Sequence, residues 1–86
     1  MGNNIYASRL SNLLRHYKVP ENEYSFDGEK QGSCVFAQKC DNLWYVRESK
    51  NGEIITRGMF YSECSAYDFV FYLVMKNHRS LKKTWW

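Results

Sequence analysis

Eighty-six residues make one domain, long enough to fold alone but with a thin core. Twelve basic and nine acidic side chains leave a formal charge of +3, short of the concentrated patch of a dedicated nucleic-acid binder, and no apolar run approaches the roughly 18 residues of a membrane span. Aromatic residues make up 17% of the chain, a richness that suits a buried core and a binding surface alike.

The opening MGNNIYASRLSNLL has no basic block followed by an apolar one, so no signal peptide is expected. Met1-Gly2 opens like a myristoylation site, but Tyr6 stands where Ser or Thr is wanted. Cys34, Cys40 and Cys64 are odd in number and irregularly spaced, which favours reduced thiols and a soluble, cytoplasmic protein over a disulfide framework.

A first helix is predicted over about 4–18. Asn3 or Asn4 caps it, and Tyr6, Leu10, Leu13, Leu14 and Tyr17 form one apolar stripe. Val19-Pro20 stops it, because a residue before proline is pushed out of the helical region. Arg9, Arg15, His16 and Lys18 read as a solvated basic face.

Four strands follow, about 24–26 (short), 34–39, 43–48 and 53–60. Asp27-Gly28 turns the chain, Asp41-Asn42 suits a tight connection, and Asn51-Gly52 is the strongest hairpin signal. With two-residue turns, Val35, Ala37, Trp44, Val46, Ile55 and Met59 share a core face, with Trp44 opposite Met59. The other face carries Phe36, Gln38, Tyr45, Arg47, Thr56 and Phe60, an interface-like mixture. Strict alternation drops Arg57 onto the core face, which implies a bulge or a twist near Gly58.

The second helix, about 62–77, has Ser62 as its cap and Glu63 at its positive end. Ala66, Phe69, Val70, Leu73 and Val74 form its apolar stripe, with Tyr67, Phe71, Tyr72 and Met75 largely outside. A basic, aromatic-ended tail over 78–86 either stays free or docks Trp85 and Trp86 onto the sheet. The expected fold is a single α+β domain, order α-β-β-β-β-α, with a four-stranded antiparallel sheet and both helices on one face.

Catalytic signatures do not emerge. His16 and His78 stand among basic residues, no zinc-ligand spacing occurs, and there is no glycine-rich phosphate loop or nucleophile elbow. Cys64 would be activated at a helix N-terminus, yet a cysteine in an apolar helix reads first as buried packing. No enzyme, metal or cofactor is expected.

The element order also describes double-stranded RNA binding domains, but those place lysines where this chain has Ser62-Glu63-Cys64-Ser65-Ala66. A second resemblance runs from Tyr24 to Leu73: YSFDGE, a strand with Cys34, then NLWYVRESKNGEI, then MFYSECSAYDFVFYLV. Through Tyr24, Ser25, Gly28, Cys34, Trp44, Glu48, Gly52, Phe60, Ser62, Glu63, Ala66 and Leu73 it resembles the small immunity proteins of bacterial polymorphic-toxin and contact-dependent growth inhibition systems.

That resemblance implies an antitoxin that binds a cognate toxin domain and blocks its active site or substrate-entry surface. Many such toxins are nucleases with basic clefts, which exposed acids would complement. The candidates are Glu21, Glu23, Asp27, Glu29, Asp41, Glu48 and Glu53, with Tyr24, Phe36 and Tyr45 as anchors and Arg47 beside them. A small nucleic-acid-binding or regulatory module is the alternative, and an adaptor or weakly homodimeric domain is the third.

Overall fold

The computed structural model describes residues 5–26, 28 and 34–81, with side chains through His78 in the last helix. Helix α1 spans Ile5–His16. Of its expected stripe, Leu10 and Leu14 are buried while Leu13 and Tyr17 stay exposed, so its buried face is narrower than the spacing implied. The helix ends in a Schellman arrangement. The Val19 N–H donates to the Leu14 carbonyl at 3.0 Å and the Lys18 N–H to that of Arg15 at 2.9 Å, with Lys18 left-handed at φ 65°. Val19 is thereby turned into the core, and Pro20 follows where no helix can continue.

After a 3-10 turn over Glu21–Glu23 come strands β1 (Tyr24–Ser25), β2 (Cys34–Cys40), β3 (Leu43–Lys50) and β4 (Glu53–Phe60). They form one sheet in the order β1-β2-β3-β4. β2, β3 and β4 pair antiparallel, joined by two-residue turns. Asp41 takes φ 58°, and Asn51 and Gly52 take φ 53° and 83°, the positive values that a tight hairpin turn of Asn-Gly type requires. β1 corrects the all-antiparallel expectation, since it pairs parallel with β2 through Tyr24↔Val35 and Ser25↔Phe36. The Gly28 N–H reaches the Ala37 carbonyl at 2.9 Å with φ 92° at Gly28. Asp27, the other residue of the turn expected at Asp27-Gly28, lies outside the described residues.

Helix α2 spans Glu63–Leu81, longer than expected. Its cap is Ser62, whose Oγ accepts from the Ser65 N–H at 3.1 Å. Ala66, Tyr67, Val70 and Val74 are buried and join Leu10, Leu14, Val19, Tyr24, Val35, Ala37 and Val46 in one core. Each large aliphatic side chain so buried contributes about 1.5–3 kcal/mol before entropy is counted. Tyr67, expected outside the stripe, is clasped by Phe26 and Trp44 at ring separations of 5.2 and 5.6 Å, while its hydroxyl donates to Glu63 at 3.1 Å. Tyr6 of α1 donates to Asp68 of α2, a bond that with partial burial raises the Tyr6 pKa above its ordinary value.

The expected bulge is present. Val46 opposes Gly58 while Arg47 opposes Thr56, leaving Arg57 as the extra residue. This shift reverses two placements: Met59 lies opposite Tyr45 on the helix-free face, and Phe60 lies opposite Trp44 on the core face. Phe60 meets Phe69 of α2 at 5.3 Å. A Cβ on Gly58 would fall 2.9 Å from the Phe60 ring and 3.1 Å from that of Phe69, so a larger residue there would force the Phe60 ring, packed against Phe69 of α2, to shift.

Candidate partner-binding face

Both helices cover one side of the sheet, and alternation from buried Val35, Ala37 and Val46 fixes which residues point the other way. At its β1–β2 end this second face is closed, since Ser25, Cys34 and Phe36 are all buried. Across β3 and β4 it is open, and Arg47 stands at its centre. The Arg47 Nε donates to Thr56 Oγ1 at 3.2 Å and an Nη1 proton to Gln38 Oε1 at 3.1 Å. Its guanidinium carbon lies 4.8 Å from the centroid of the Tyr45 ring, within cation–π range.

These contacts hold a tyrosine and an arginine rigid on strands. A guanidinium has five N–H donors, and the two bonds described use two of them on neutral acceptors. Ile54 and Met59 extend the face with exposed apolar side chains.

The sequence-derived candidates scatter. Tyr45, Arg47, Asp41 and Glu53 are at least partly accessible, but Asp41 and Glu53 sit at opposite ends of β3, in or beside its two turns. Asp27 and Glu29 lie outside the described residues. Three candidates need correction as surface anchors. Tyr24 is packed in the core against Phe26 at 5.9 Å, and burial raises its hydroxyl pKa, helped by nearby Glu21. Phe36 is 1% exposed.

Glu48 is 7% exposed on the helix side. Its Oε1 accepts from Arg57 Nε at 3.0 Å and pairs with Nη2 at 2.9 Å, and its Oε2 accepts from Asn77 of α2 at 3.2 Å. The acid is therefore a tie between sheet and helix. Glu21 pairs with Arg15 at 3.3 Å on the surface. The accessible acids thus do not converge on one face, and the open face is aromatic and cationic.

Cys64, expected as buried packing, is exposed, as is Cys40, while Cys34 is buried. Among the described residues no group of three His, Cys, Asp or Glu side chains is placed to hold a metal ion, and no helix is long and apolar enough to cross a membrane.

Compared with protein-family models, curated proteins and solved structures, the chain finds no match. Most of the positions that carry the immunity-protein resemblance hold the fold itself. Tyr24, Ser25, Cys34, Glu48 and Ala66 are buried, Trp44, Phe60 and Leu73 pack against the core, Gly28 and Gly52 take positive φ, and Ser62 caps α2.

Proposed function

We propose that this chain is an immunity-type inhibitor, a protein-binding module that neutralises a cognate toxin domain by covering its active site or substrate-entry surface. The observation that supports the reading is the open β3–β4 face, where Tyr45 and Arg47 are held in place by Gln38 and Thr56. Tyrosine and arginine dominate the energetic centres of protein interfaces, and strands fix them with little ordering cost on binding. Neutral partners around Arg47 leave its charge uncompensated, which suits a carboxylate on the toxin. Asp41 and Glu53 would act at the rim, where charge governs association rate more than affinity.

The test is co-expression with the C-terminal domain of a large protein encoded beside it, scored by co-purification and rescue of growth. Rescue by the wild type, lost in Arg47→Glu and Tyr45→Ala variants that keep their circular dichroism, supports the reading. A toxic neighbouring domain that the chain neither binds nor neutralises overturns it. An association with RNA that weakens with salt would favour the nucleic-acid module instead.

A further inference from the structure

Strand β4 ends the sheet, and its residues Glu53 to Arg57 are all exposed. Ile54 and Ile55 stand 49% and 40% exposed there. Such an edge is a template for another strand unless something blunts it, and here the bulge at Arg57 leaves a regular edge of only four residues, Glu53 to Thr56.

The hairpin fixes which backbone groups this edge offers. Lys50 and Glu53 close a two-residue turn, so they and the pair Glu48–Ile55 exchange backbone bonds inside the sheet. Ile54 and Thr56 therefore turn their N–H and C=O groups outward.

From this we propose that two copies of the chain join through β4, antiparallel about a two-fold axis at Ile55, to make one continuous eight-stranded sheet. In that register Ile54 opposes the partner copy's Thr56, and the reverse, so every outward group on these residues is bonded. Ile55 meets its own copy at a non-hydrogen-bonded position, where side chains approach most closely. Glu53 falls opposite Arg57 twice, on the same face of the sheet, which makes the interface complementary in charge and isologous.

Arg57 is available for this second role. Its pairing with Glu48 uses Nε and Nη2, and 41% of its side chain remains exposed. Shifting the register by two residues in either direction loses the Glu53–Arg57 match, and the shift toward Gly58 moves the bulge at Arg57 from the end of the pairing to a position beside the two-fold axis. This inference does not rest on toxin neutralisation: although Glu53, Ile54 and Thr56 border both the edge and the open face, the crosslink at position 55 reports on the edge alone.

The experiment is disulfide trapping in a Cys40→Ser, Cys64→Ser background, with sedimentation of the wild-type chain alongside. Ile55→Cys places two thiols across the axis at a separation of about 4.5 Å between Cα atoms, within bridging range, whereas Ile54→Cys places them diagonally and out of reach. Mild oxidation is expected to give a covalent dimer at position 55 and little at 54. The wild type is expected to sediment as a concentration-dependent dimer, and Glu53→Lys to weaken it about fivefold or more. A wild-type monomer at every concentration, equal trapping at 54 and 55, or a dimer indifferent to Glu53→Lys would each overturn the proposal.

Discussion

Glu48 decides between two accounts of the same residue, an interface acid or a clamp between sheet and helix. Changing it to Gln preserves shape and removes the charge. The side chain faces Arg57 through one oxygen at 2.9–3.0 Å and Asn77 through the other at 3.2 Å. In Gln one of those oxygens becomes an amide NH2, which cannot accept from whichever donor it meets. Hydrogen bonds to charged groups contribute about 1.5–3 kcal/mol, and the 41% exposure of Arg57 discounts that to about 1–2 kcal/mol, since the guanidinium can rehydrate.

For a domain of this size the expected fall in Tm is about 5–12 °C. Urea unfolding followed by tryptophan fluorescence should show a lower midpoint at unchanged slope. Asn77→Ala should cost about 1 kcal/mol, and the double variant less than the sum, because both act on one network. A Glu48→Gln protein with wild-type stability would refute the clamp and return Glu48 to the list of binding residues.

Lys18 holds a left-handed C-terminal position where glycine is the residue of choice, so Lys18→Gly is expected to raise stability by about 0.5–1 kcal/mol in urea unfolding. The tyrosines set the alkaline limit. Tyr6 is raised chiefly by its bond to Asp68 and Tyr24 chiefly by burial, both from the ordinary 10.0. Above that value the folded chain holds protons that the unfolded chain releases, so their contribution is complete below pH 10 and lost as pH rises through the folded values. Unfolding free energies measured from pH 8 to 11 should fall less steeply in Tyr6→Phe and Tyr24→Phe than in the wild type.

Much of the architecture was legible because its signals are local. Asn51-Gly52 demands positive φ in two adjacent residues, Ser62 offers an oxygen to a helix N-terminus, and a period of 2 or 3.6 follows from backbone geometry alone. Strict alternation also exposed its own failure at Arg57, which located the bulge. The element order and the residues on the open face, Gln38, Tyr45, Arg47 and Thr56, followed from those signals.

What the chain's local patterns left open was anything set by partners distant in sequence. The direction of β1 depends on where a two-residue strand meets β2, and nothing within Tyr24–Ser25 encodes it. Glu48 alternates like a core residue and carries a charge like a surface one; only the arrival of Asn77 and Arg57 makes its burial tolerable, because a buried carboxylate needs donors to replace water. Phe36 and Tyr24 read as anchors, since an aromatic ring suits a core and an interface equally. Sequence thus determined the elements, their order and their faces up to the bulge, beyond which Met59 and Phe60 exchange sides, while tertiary packing decided which of those faces remains open to a partner.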